Sequence, residues 1–179
     1  LSCLKKDKYA NLHIELKPLI SNTGFENIFN EIEQILAEPS ETNYKYIFYV
    51  LDLDVIYNKH QEGKYNERKK KVESLAKAKE RLAIIESRPC IEFWFLLHCK
   101  NTDKCFTSCK EVINELCKEY SDYCKSQKYI AGLYEKLQQG LEKAIQNSQR
   151  ICSKSRIKKE DYSYTEMHKL ILFLDELQK

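Results

Sequence analysis

Hydrophobic positions along this chain switch between a period of two and a helical period. Leu12 to Leu19 (LHIELKPL) alternates apolar and polar residues, predicting a strand closed by Pro18 and the turn-forming Ser21-Asn22-Thr23-Gly24. Phe25, Ile28, Phe29, Ile32, Ile35 and Leu36 then recur at threes and fours. That spacing puts one buried stripe on a helix, which Pro39 and Ser40 end. Tyr46 to Leu51 (YIFYVL) is an unbroken apolar run, expected as a central strand covered on both faces. A charged helix from about Tyr65 to Lys79 follows, then Leu82 to Glu86 (LAIIE) as a short buried strand. Pro89 is expected to start a helix, where its missing N–H costs nothing. Ile91 to Cys99 (IEFWFLLHC) is apolar on nearly every side, so that helix should lie deep. The remainder reads as helices over Ser108 to Tyr120, Tyr129 to Gln146 and Tyr164 to Leu177.

Strands alternating with helices predict an α/β fold: a parallel sheet flanked by helices, with a helical C-terminal extension. Residues 1–100 are expected to form the α/β core and 101–179 a helical part packed on it. The composition agrees. Of 179 residues 42% are hydrophobic, enough to exclude global disorder, while only 4 Gly and 3 Pro argue against a turn-rich β-sandwich. No apolar run approaches the roughly 20 residues that span a bilayer.

The net charge of +3 is small, but it is unevenly placed. Lys64 to Arg81 (KYNERKKKVESLAKAKER) holds eight basic and three acidic residues, and Arg150 to Lys159 (RICSKSRIKK) five basic and no acidic ones. Such stretches are either solvated faces or the contacts of a phosphate backbone. The eight cysteines do not read as a disulfide scaffold in a chain of this size, so a reducing cytoplasm is expected. Cys109, Ile113, Leu116 and Cys117 share a helical spacing and read as small core residues. His98, Cys99, Cys105 and Cys109 are metal-capable, yet lack the paired knuckles of common zinc sites.

The sharpest chemical feature is Val50 to Asp54 (VLDLD). Asp52 and Asp54 stand two apart at a strand end, where period two would point both carboxylates to one side. Ligands of open parallel sheets gather beyond the carboxyl ends of the strands. Two acids placed so close call for a hard divalent cation, Mg²⁺ or Mn²⁺; the bland alternative is a solvated loop. Glu92, among apolar neighbours in the first turns of a helix, would be a second ligand or an orienter, or else a buried ion-pair partner. Dehalogenase-type phosphatases also place DxD after a strand, but here Ile56 occupies the position of their Thr or Val. The TOPRIM arrangement fits the preceding elements better.

Ser87-Arg88-Pro89-Cys90-Ile91-Glu92-Phe93-Trp94-Phe95-Leu96-Leu97-His98 resembles the S-N-P-C-F-E-x-W-L-L-L-H segment of the RloB-like family, TOPRIM-type proteins of bacterial restriction and phage-defence loci. Tyr162 to Leu170 (YSYTEMHKL) is similar to that family's S/T-x-V-H-x-L-V element. Arg88 departs from the usual Asn. Nothing before Leu12 resembles the family's C-E-G-x-x-T-E, so its glutamate is expected ahead of Leu1. The resemblance implies a Mg²⁺- or Mn²⁺-dependent nuclease of anti-phage defence. Asp52 and Asp54 would hold the metal, Glu92 and His98 would support the chemistry, and Lys69, Lys70, Lys71 and Lys77 would hold the nucleic acid. Partner defence proteins and an oligomer fit the same picture. The alternative is a module that binds nucleic acid or a nucleotide without cutting it.

Overall fold

A computed structural model describes residues 1–17, 24–37, 44–75, 81–121, 123, 127–154 and 162–179. In chain order its elements are α1 (Ser2–Asp7), α2 (Phe25–Ala37), β1 (Ile47–Asp52), α3 (Asp54–Tyr57), α4 (Glu62–Glu73), β2 (Leu82–Arg88) and α5 (Glu92–Cys99). There follow α6 (Cys109–Glu119), α7 (Gln127–Gln138), α8 (Leu141–Cys152), β3 (Tyr164–Thr165) and α9 (Met167–Leu177). The fold is mixed α/β, with a small three-stranded sheet in the order β1-β2-β3, one parallel pair, and a helical C-terminus. The third strand runs antiparallel to β2, pairing Thr165 with Ser87 and Tyr164 with Arg88.

Two compact units make up the chain, and they are not consecutive. One comprises Leu1–Ile14, Leu51–Asp54 and Ile85–Lys179, the other Glu15–Val50 and Val55–Ile84. Residue 100 falls inside the first. Its centre is α5, which buries Phe93, Trp94, Leu96, Leu97 and His98, as expected of so apolar a helix. Leu116 and Val112 of α6 are buried, and Phe106 stacks edge-on to Phe93 at 6.0 Å. The carbonyls that a helix leaves open at its C-terminus find partners on α8. Asn147 donates to Leu97 O at 2.9 Å and Lys143 Nζ to Cys99 O at 2.6 Å. At the other end of the chain, the buried Tyr9 hydroxyl donates to Asp175 at 2.7 Å.

The second unit is held by aromatic edges. Phe25, Phe29, Ile32 and Leu36 form the buried stripe of α2. Phe29 meets Tyr49 of β1 at 5.5 Å, and Phe25 meets Tyr65 of α4 at 5.7 Å. Each such pair adds about 1 kcal/mol beyond the area it buries.

Several expectations need correction. Residues 12–17 alternate in exposure but are not a strand, and among the described residues no strand pairs with them; 18 and 19 lie outside the described residues. Among the described residues β1 is an edge strand in which only Leu51 is buried, not a central one. Pro89 precedes the helix rather than opening it, since Glu92 is the first helical residue. The single helix expected over Tyr129 to Gln146 is two, α7 and α8. Tyr164 and Thr165 are a strand ahead of α9, not its first turn. The buried face of α6 is Val112, Glu115 and Leu116, with Cys109 and Cys117 at its margin.

Candidate functional site

Asp52 is the last residue of β1, and Asp54 is the first residue of α3. The strand-period argument therefore covers Asp52 alone, because the chain leaves the pleat at Leu53. Backbone bonds fix this corner: Leu53 N–H donates to Ser87 O at 2.9 Å and Asp54 N–H to Pro89 O at 3.0 Å. The Asp52 carboxylate has a defined orientation, accepting the Ile91 N–H on Oδ1 at 2.8 Å. Ile91 caps α5, so an acid at the β1 end holds the start of the apolar helix. A carboxylate pair at this corner is an all-oxygen donor set of the kind Mg²⁺ and Mn²⁺ accept.

Glu92 follows immediately, 2% exposed as the first residue of α5. Tyr123 donates its hydroxyl to Oε1 at 3.1 Å, and Cys109 Sγ lies 3.2 Å from Oε2. Burial, then the Glu92 charge, pushes the Tyr123 phenol far above its ordinary range, so it stays protonated and donates. Cys109 is bonded to Cys90, with the two Cα atoms 5.6 Å apart. Cys90, Glu92 and Cys109 place one donor atom each within 4.8 Å of one another, a possible metal-binding group. Among the described residues this is the grouping of three that forms; the aspartates do not join Glu92 in such a set. Nor do His98, Cys99, Cys105 and Cys109 come together. Cys105 is exposed, and Cys99 Sγ turns to Leu96 O.

His98 lies inside the core. Its Nδ1 is 2.9 Å from Trp94 O, its ring meets Trp94 edge-on at 4.9 Å, and it lines an apolar cavity of about 130 Å³ with Leu137, Met167 and Ile171. Desolvation pushes its pKa down to about 4, so the imidazole is neutral at pH 7 and Nδ1–H is the donor to Trp94.

The basic helix α4 belongs to the second unit. Arg68 ion-pairs with Glu33 at 2.9 Å and donates to Asn30 at 2.7 Å, while Lys71 meets Glu33 at 3.3 Å and Lys64 meets Glu26 at 2.8 Å. Lys69 is half-buried and Lys70 exposed; Lys77 lies outside the described residues. In the other basic stretch Arg150 and Lys154 both pair with Asp103, at 2.7 and 2.9 Å.

Sequence reasoning missed a buried polar cluster between β2, β3, α8 and α9. Glu86 and Glu166 are 4% and 5% exposed, and they are linked through the backbone. Glu166 N–H donates to Glu86 O at 2.9 Å, and Glu86 N–H to Glu166 Oε2 at 3.3 Å. Tyr164 donates to Glu86 Oε2 at 3.0 Å, and Lys169 pairs with Glu166 at 2.8 Å. Ser148 donates to Thr165 O at 2.6 Å and sits 2.7 Å from His168 Nδ1, and the hydroxyls of Ser87 and Thr165 share a hydrogen at 2.8 Å. One signal was available: Glu86 directly follows the apolar run Leu82 to Ile85 of a strand expected to be buried, and a buried acid must be satisfied.

No helix among the described residues is long and apolar enough to cross a membrane. No curated protein and no solved structure matches the chain. The family model described as RloB-like protein matches residues 5–174, which include the Pro-Cys-x-Glu helix start, the strand-end aspartates and the segment around β3. The chain belongs to the RloB-like family.

Proposed function

We propose that this protein is a metal-dependent phosphodiester-cleaving enzyme of TOPRIM type that acts in bacterial anti-phage defence. The observation that carries the reading is the aspartate pair at the β1 end, in a chain whose family resemblance points to that chemistry. Asp52 and Asp54 would hold Mg²⁺ or Mn²⁺, which when bound polarises a phosphate and acidifies a water. The Ile91 N–H orients the Asp52 carboxylate. The basic segment that includes Lys69, Lys70, Lys71 and Lys77 would hold the nucleic-acid backbone, and its charge sets a salt-dependent affinity.

The test incubates the full chain with labelled DNA and RNA, single- and double-stranded, with Mg²⁺, Mn²⁺ or EDTA. Asp52→Asn is the informative variant, because the amide oxygen still accepts from Ile91. Cleavage should fall roughly 10- to 100-fold or more in Asp52→Asn and Asp54→Asn with the fold intact. Cleavage that is unchanged in both variants rejects the assignment.

A second reading is a module that binds nucleic acid without cutting. The capping role of Asp52 favours it, because that bond by itself accounts for a side-chain acceptor at this position. It predicts salt-dependent binding that survives EDTA and no cleavage under any metal.

A further inference from the structure

Three metal-capable side chains converge away from the aspartate pair. Cys90 (0% exposed) and Glu92 (2% exposed) flank Ile91, the residue that caps α5, and Cys109 is the first residue of α6. The donors therefore meet where two helices present their N-terminal ends, which favour negative charge. Tyr123 occupies Oε1 of Glu92, while Oε2 faces the Cys109 sulfur at 3.2 Å. Reduced, this arrangement sets two thiols against a buried carboxylate. Deprotonated sulfurs there repel it, and a cation between them, or a bond between the two sulfurs, removes that repulsion.

We propose that in the reduced protein Cys90, Cys109 and Glu92 bind a zinc-class divalent ion, and that disulfide formation closes the site. Two thiolates and one carboxylate suit a borderline-soft ion that takes sulfur and oxygen at tetrahedral positions, with water as the fourth ligand. Mg²⁺ does not suit it, because hard ions demand oxygen. Sulfurs about 2.3 Å from such an ion stand about 3.8 Å apart, so the two sulfurs, bonded here, separate on reduction while the three donors stay close; they lie within 4.8 Å of one another in this structure. Binding breaks two S–H bonds, forms two metal–sulfur bonds and releases two protons. Closure consumes a low-molecular-weight disulfide. The two thiolates give it two electrons, the S–S bond forms, the ion leaves, and the oxidant takes up two protons and departs as two thiols. The site is independent of the reading of Asp52 and Asp54.

The test uses the full chain, reduced with a phosphine and freed of metal, with Co²⁺ as the probe. One equivalent should produce the near-ultraviolet thiolate-to-cobalt band and the visible bands of a tetrahedral ion, and Zn²⁺ should bleach them. Oxidation by oxidised glutathione should abolish both, as should Cys90→Ser and Cys109→Ser, while Cys105→Ser keeps them. Glu92→Gln should keep the thiolate band and weaken Co²⁺ binding roughly 10-fold or more. Zinc-edge absorption of the unmutated protein, which needs no variant to fold, should show two sulfurs at about 2.3 Å. A shell of nitrogen and oxygen alone overturns the proposal, as does a thiolate band that survives in both Cys90→Ser and Cys109→Ser.

Discussion

His98 and Asp52 show how single residues carry energy that the sequence pattern does not price. In the unfolded chain His98 takes its proton near 6.5, and in the folded chain at about 4, because burial disfavours the cation. Between those values the unfolded state binds more protons, so stability rises with pH. The contribution is complete above pH 6.5 and is lost as the pH falls to about 4. A shift of this size is worth on the order of 3 kcal/mol. Urea midpoints measured from about pH 7 down to about pH 4.5 should therefore drop less in His98→Gln than in the parent. Equal drops would show that the neutral imidazole is not the cause. Asp52→Ala should cost about 2 kcal/mol, through loss of a charge-assisted bond to Ile91 N–H, whereas Asp52→Asn should cost less than half of that. Thermal melts of the two variants decide it.

At the scale of elements, the junction of α7 and α8, inside the predicted Tyr129 to Gln146 helix, carries a steric constraint. A Cβ on Gly140 would lie 2.5 Å from His98 O and 2.9 Å from His98 Cβ, so only glycine lets the chain pass the end of α5. Among the described residues nothing lies within 4 Å of the same atom built on Gly132, inside α7. The same substitution should thus act in opposite directions. Gly140→Ala should destabilise by about 1–3 kcal/mol, through displacement of packed backbone. Gly132→Ala should stabilise by about 0.5–1 kcal/mol, through a smaller loss of chain entropy on folding. Chemical denaturation of both tests this, and a common sign would refute the steric account. The α2 stripe needed no such help. Phe25, Phe29, Ile32 and Leu36 are buried at the spacing the sequence displays, because the helix period itself selects them.

Across the whole molecule, the short strand β3 and its polar cluster join segments about eighty residues apart. Ser87 and Arg88 pair with Thr165 and Tyr164, and Ser148 serves both Thr165 O and His168 Nδ1. Ser148→Ala removes a buried hydroxyl that donates to Thr165 O and accepts from His168 Nδ1, and should cost about 1–3 kcal/mol. Its size should exceed that of Ser153→Ala, whose hydroxyl caps a local carbonyl in solvent. Equal losses would mean the cluster adds nothing beyond a surface bond. The cysteine pair acts at this scale too. Ile91 stands between Cys90 and Glu92 and is bonded to Asp52, so the start of α5 is tied to β1 on one side and to α6 on the other.

The chain alone determined its helical stripes, the apolar character of β1, β2 and α5, and the motif that marks the RloB-like family. Each rests on residues close in sequence, whose period or order carries the information. Tertiary structure decided the rest. It placed Asp54 on a helix rather than a strand, left residues 12–17 outside the sheet of the described residues, divided the predicted Tyr129 to Gln146 helix near Gly140, and joined Cys90 to Cys109. It also buried Glu86 and Glu166 together, 80 residues apart. Those outcomes depend on which neighbour supplies a hydrogen bond, a close approach or a second sulfur. A local pattern shows that a polar residue needs a partner, but not which distant segment brings it.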